Sequence, residues 1–146
     1  MSKSLQLSVV LMALIIGAFT IFHSSCDFNP HRHGEWLFEM HCANCHMEDG
    51  TGLGELIPDL WESPYLQKTT IHEAACLIRH GIKTPDPLDP DLEIYPMPPN
   101  YELTESEIAN ILNYIGNNFG NEAGYINPTK LKEVLSDCPN AEDRQW

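Results

Sequence analysis

Basic residues are scarce in this chain: 8 Lys and Arg stand against 21 Asp and Glu among 146 residues, a formal net charge of −13. Phosphate binding needs clustered Lys and Arg, so nucleic acid is excluded as the expected partner. Alternation of apolar and polar residues never lasts long enough to make a convincing strand, which argues against a β class. No segment repeats internally. Charge is modest, at 20% against 42% hydrophobic residues, so the chain is not a disordered acidic tail. Its length admits one compact domain and little else. The 11 prolines point to long, stiff loops.

What is present starts with an address. Lys3 precedes LQLSVVLMALIIGAFTIF, an apolar run of 18 residues from Leu5 to Phe22, closed by His-Ser-Ser-Cys at 23–26. A positive start, an apolar middle and a small-residue finish read as a bacterial export signal over residues 1–25. Ser-Ser-Cys resembles the end of a lipoprotein signal, which implies that Cys26 becomes the lipidated first residue. An uncleaved membrane helix and a secreted soluble form are the alternatives. Each puts the domain on the periplasmic side of a bacterial membrane. Residues 26–33 read as a linker, 34–120 as the folded domain and 121–146 as a C-terminal extension packed on it.

The domain reads as all-α. A first helix begins near Gly34, with Trp36, Leu37, Met40 and Phe38 as its apolar residues, and runs into Cys42–His46 and a loop holding Gly50, Gly52 and Gly54. A second spans Thr70 to His80, with Thr70 and Glu73 as a capping box, Ile71, Ala74, Ala75 and Ile78 as its apolar face, and Gly81 beyond its end. Recurrent prolines between residues 83 and 99 forbid regular structure there. Thr104 and Glu107 form a further capping box before Ile108, Ile111, Leu112 and Ile115, spaced i, i+3, i+4, i+7. A last short helix starts at Asn127-Pro128, with Leu131, Val134 and Leu135 apolar.

Cys42-Ala-Asn-Cys45-His46 has the spacing of covalent c-type haem attachment. Residues i, i+3 and i+4 share a helical face, so two thiols can bond the vinyl groups at one porphyrin edge while the next imidazole reaches the iron. A dithiol redox site would want a surrounding βαβ pattern, and a zinc site a second ligand pair at similar spacing. Neither is found. An export signal agrees with haem, which is attached to such proteins outside the cytoplasm.

From about Gly34 to Phe119 the chain resembles the class I, single-haem cytochromes c. Gly34 and Phe38 match that family's first helix, and Tyr114 its aromatic partner on the last helix. Gly50-x-Gly52 followed by Ile57-Pro58-Asp59-Leu60 matches the loop under the haem, which implies that the Pro58 carbonyl accepts the N–H of His46 and orients it. Tyr95-Pro96-Met97-Pro98-Pro99 matches the loop that delivers an axial methionine. The fold implied is the cytochrome c fold, three to five helices with long loops around one covalent haem c.

Met97 also stands out without the resemblance, because a methionine among three prolines is poorly placed to fill a helical core and well placed to be held rigidly. His46/Met97 ligation raises the reduction potential relative to a second histidine. The competing sixth ligands are His80, His72, Met47 or an open position. Trp61, Tyr65, Tyr95 and Tyr101 are candidates for the haem pocket wall or for ordinary core burial; the resemblance suggests Trp61 near the propionates. With Cys26, Cys42 and Cys45 assigned, Cys76 and Cys138 remain. In an oxidising compartment they pair, closing a loop of about 60 residues worth roughly 2–4 kcal/mol; two separate thiols are the alternative.

Asp86, Asp89, Asp91 and Glu93 cluster before Met97. Such a run is usually a solvated face. Beside the expected ligand loop, it suggests docking on a basic surface of a redox partner. The reading that follows is a membrane-tethered one-electron carrier rather than an enzyme, with an enzyme subunit or gas sensor having an open sixth position as the alternative. A domain using haem only as core is a further alternative.

Overall fold

The computed structural model describes residues 31–83 and 95–139, with six positions near the N-terminus. Cys26 and the acidic residues Asp86, Asp89, Asp91 and Glu93 lie outside the described residues. The chain divides into two units, Met1–Pro30 and His31–Trp146. In the first, Gln6, Ser8, Val9 and Leu11–Ala13 are helical and exposed. Among the described residues, no helix is long and apolar enough to cross a membrane.

The second unit is helical: α1 (Arg32–His41), α2 (Ala43–His46), a 3₁₀ turn (Pro64–Leu66), α3 (Ile71–His80), α4 (Glu105–Ile115) and α5 (Pro128–Ser136). No strand occurs among the described residues; a single bridge pairs Ile82 with Met97.

The core is set where α1 crosses α4. At 100° per residue, Gly34, Leu37 and Phe38 fall within an arc of roughly 100°, and Trp36 and Met40 fall on the other side. Leu37 and Phe38 are accordingly buried, while Trp36 is 51% and Met40 64% exposed. The expectation that Trp36 and Met40 belong to the apolar face is corrected by this geometry. Gly34 permits the crossing, since a Cβ there would lie 2.0 Å from the Asn110 carbonyl oxygen. Beside it, the Phe38 and Tyr114 rings meet at 5.5 Å between centroids. Phe119 adds a third ring, 5.8 Å from Phe38 and 5.9 Å from Tyr114.

Helix α4 starts as its sequence predicts. The Thr104 hydroxyl accepts from the Glu107 N–H, and the Glu107 carboxylate accepts from the Thr104 N–H. Ile108, Ile111, Leu112 and Ile115 are all buried. The capping box expected at Thr70 does not form: Thr70 has φ −113° and ψ −8° rather than the extended backbone of a capping residue, and its hydroxyl is turned toward the Pro64 carbonyl, to which it donates at 2.6 Å. The apolar face of α3 is nevertheless as expected, with Ile71, Ala74, Ala75 and Ile78 buried.

After α4 the chain is stapled down by asparagines. Buried Asn113 donates to the Ala109 and Ile126 carbonyls and accepts from the Ile126 N–H. Asn121 donates to the Leu60 and Ile115 carbonyls and accepts from the Ser63 N–H. Asn127 caps α5 by accepting from the Thr129 N–H, and α5 packs Leu131 fully into the core between α3 and α4. Cys138, just beyond α5, is disulfide-linked to Cys76 of α3, with Cα atoms 5.6 Å apart.

Candidate functional site

The attachment motif sits at a helical joint rather than on one unbroken helix. Cys42 leaves α1 with φ −123° and ψ −38°, and its N–H still closes on the Phe38 carbonyl at 2.8 Å. The chain resumes as α2, where the N–H groups of Cys45 and His46 both donate to the Cys42 carbonyl. The i, i+3, i+4 relation of Cys42, Cys45 and His46 therefore survives the break. Met47 then turns the chain with φ +62°, an uncommon conformation for a non-glycine residue. The loop that follows folds back on the motif. Gly52 N–H donates to the His46 carbonyl, Leu53 N–H to the Ile57 carbonyl and Leu60 N–H to the Gly50 carbonyl.

Cys42 and Cys45 are free thiols, in contrast to the paired Cys76 and Cys138. Burial, with Cys45 as a near neighbour, pushes the Cys42 thiol up to about 12. A thiol held protonated is a poor nucleophile, so Cys42 is not an activated attacking thiol. Among the described residues no cluster of three or more His, Cys, Asp and Glu is placed to hold a metal ion, which bears on the zinc alternative.

His46 Nδ1 is buried and makes no completed hydrogen bond. Burial lowers the imidazole's pKa, and the neighbouring Pro58 carbonyl opposes that in part. A neutral imidazole is the form that ligates a metal. The Pro58 carbonyl beside His46 is the kind of acceptor that orients a ligating histidine through its second ring nitrogen. The donor set suits haem c: two thiols and an imidazole on one helical turn, with Cys42 and Ala43 against the main core.

Met97 packs, half-buried, against the same core as Cys42 and Ala43. Its carbonyl accepts from the Ile82 N–H at 2.8 Å, and the Tyr95 N–H donates to the Leu56 carbonyl at 2.7 Å, joining the two loops. Of the alternative ligands, His80 is half-buried with its ring edge-on to Tyr101, and His72 is exposed.

The aromatic candidates separate. Tyr65 is half-buried against the core, whereas Trp61, Tyr95 and Tyr101 are exposed. Trp61 donates from its indole to the Asp49 carbonyl and meets Phe119 at 5.9 Å. A cleft of 710 Å³ opens elsewhere, bordered by His80, Tyr101, Glu105 and Lys132, and none of Cys42, Cys45, His46 or Met97 lines it. Sequence reasoning missed Arg79, whose guanidinium reaches the segment after Met97, and the Asn113 and Asn121 staples. Only the crowding of asparagines at 113, 117, 118 and 121 signals the latter.

The comparisons agree with this geometry. Over 115 residues the chain is 30% identical to the cytochrome c subunit of the quinone alcohol dehydrogenase of Gluconobacter oxydans (strain 621H). That similarity covers 77% of this chain and 24% of the relative, so the chain spans about a quarter of that protein's length. Residues 32–118 match the family description Cytochrome c, a span that holds the joint at Cys42, the folded-back loop and the Met97 segment together. The chain belongs to the cytochrome c family, a family of haem-based electron transfer, and covalently bound haem c is its cofactor.

Proposed function

We propose that the protein is a one-electron carrier at the periplasmic face of a bacterial membrane, relaying electrons to or from a redox enzyme. When bound, haem c supplies reversible one-electron Fe(III)/Fe(II) chemistry. Cys42 and Cys45 would hold the macrocycle through thioether bonds, and His46 and Met97 would be the axial ligands. Pro58 would orient His46 through its carbonyl, fixing the tautomer and adding basicity. Burial lowers the His46 pKa and so favours the neutral imidazole, the form that ligates. The core packing shared by Cys42 and Met97 limits what must move when charge changes, which suits a carrier. No bond is made in a substrate, so the chain alone is not an enzyme.

The observation that carries this reading is the half-buried His46, its Nδ1 enclosed beside the Pro58 carbonyl, on the same turn as two cysteines outside any disulfide. Cys26 would carry the lipid anchor, and the Cys76–Cys138 link would persist in that oxidising compartment. Asp86, Asp89, Asp91 and Glu93 would steer a basic partner surface. Similarity to a dehydrogenase's cytochrome c subunit supports a redox enzyme as the partner.

The test is a redox titration of the haem-loaded full chain, with carbon monoxide added to the reduced form. A reversible one-electron wave and no carbon monoxide binding are expected. Rapid binding would favour the enzyme or sensor reading. Higher ionic strength should slow reduction by the native donor; a rate independent of salt would remove the docking proposal.

A further inference from the structure

The segment following Met97 is held against α3 by one side chain and three backbone features. Arg79 spreads its guanidinium over two carbonyls, donating to Asn100 O at 2.9 Å and to Leu103 O at 2.7 Å. Asn100 in turn folds its own turn, its side-chain oxygen accepting from the N–H groups of Glu102 and Leu103. The Asn100 N–H donates to the Ile78 carbonyl at 3.0 Å, and the Ile82 N–H to the Met97 carbonyl. Gly81, between those anchors, has φ +70°, and a Cβ there would sit 2.3 Å from the Met97 carbonyl oxygen and 2.7 Å from Pro99 N. The last turn of α3 is thus a template on which residues 97–103 are laid.

We propose that Arg79 is a positioning residue for Met97, fixing the loop so that the thioether stays where a sixth ligand is needed. This rests on Met97 being that ligand. The physical argument is reach. Proline at 96, 98 and 99 restricts the backbone around Met97 but anchors it to nothing, and the Asn100 and Leu103 carbonyls close the loop on its C-terminal side. A guanidinium presents donors in a fixed fork and can bridge two carbonyls three residues apart; a lysine ammonium is a point donor. Charge-assisted bonds of this kind are stronger than neutral ones, and Arg79 is half-buried, which limits competition from water.

The experiment compares haem-loaded full-length Arg79→Ala, Arg79→Lys, Asn117→Ala and Met97→Ala with the parent. Three readouts are taken: the red charge-transfer band of methionine-ligated Fe(III), the rate of carbon monoxide binding to the reduced form, and far-ultraviolet circular dichroism. Met97→Ala should abolish the band; if it does not, the ligand assignment itself fails. Releasing two charge-assisted bonds should raise the ligand-free population, and with it carbon monoxide binding, roughly tenfold or more in Arg79→Ala. Arg79→Lys should fall between, with helicity unchanged, and it decides the matter if Arg79→Ala does not fold. Asn117→Ala loosens the Gly124 staple away from the loop and should leave band and binding rate alone. Arg79 variants that match the parent, or that shift no further than Asn117→Ala, overturn the proposal.

Discussion

The two sides of the proposed haem site are built in different ways. The His46 side is continuous in sequence: Cys42 to Leu60 folds on itself through short-range hydrogen bonds, and its chemistry is written as a motif. The Met97 side is assembled. Its loop is fixed from a distance by Ile78, Arg79 and Ile82 of the α3 end, and α3 is tied to Cys138 beyond α5. A local unit is insensitive to strain elsewhere, whereas an assembled one inherits the stability of each piece that holds it. The Met97 side should therefore be the first to open and the easier to change without losing the cofactor.

The largest expected effect removes the platform both sides share. Gly34→Val places side-chain atoms where the Asn110 carbonyl already lies, so α1 and α4 cannot close. No folded, haem-loaded protein is expected at 25 °C; a cooperative melting transition like the parent's would show that the crossing is not needed.

Replacing Cys76 and Cys138 together with serine acts on the Met97 side through α3. The loss is about 2–4 kcal/mol by loop-closure reasoning, read as a lower urea midpoint with covalent haem retained. Unchanged stability would mean that the C-terminal link contributes nothing to holding α3.

Thr104→Ala removes the cap at the start of α4, directly after the segment that Arg79 clamps. A loss of about 1 kcal/mol is expected in denaturant unfolding. The least effect is a pH dependence. Thr104 donates to the Glu107 carboxylate through its backbone N–H and then its hydroxyl, holding that carboxyl below the ordinary glutamate range. A depressed folded pKa contributes stability that is complete above the unfolded value and lost as pH falls through the folded value. Glu107→Ala should lower stability near neutral pH, where the carboxylate's contribution is complete, and flatten the acid side of the profile, the two proteins converging as pH falls through that window. An identical acid slope in the variant would assign the slope to other carboxylates.

Legibility in the sequence followed the same division. C-A-N-C-H, the capping box at Thr104 and the i, i+3, i+4, i+7 row of α4 are local patterns, and each describes a contact made within a turn or two. The Thr70 box failed because the Thr70 backbone is not extended and its hydroxyl turns toward the Pro64 carbonyl, which is brought in by a 3₁₀ turn that no periodicity announces. Trp36 and Met40 were misassigned because hydrophobicity was read without the angular position that Gly34 and Phe38 impose. The bonds of Arg79 span 21 and 24 residues, and those of Asn121 to Leu60 and Ser63 span 61 and 58. Such contacts exist only once the helices are packed, so a one-dimensional pattern carries no trace of them.

The difference between the two sides is tested most directly by urea titration of the oxidised, haem-loaded protein. The red charge-transfer band of Met–Fe(III) and the far-ultraviolet dichroism would be followed in the same samples. The band should vanish at a lower urea concentration than the helices, with haem still covalently attached. A single shared midpoint for both signals would contradict the account, because the Met97 side would then be no softer than the fold that carries it.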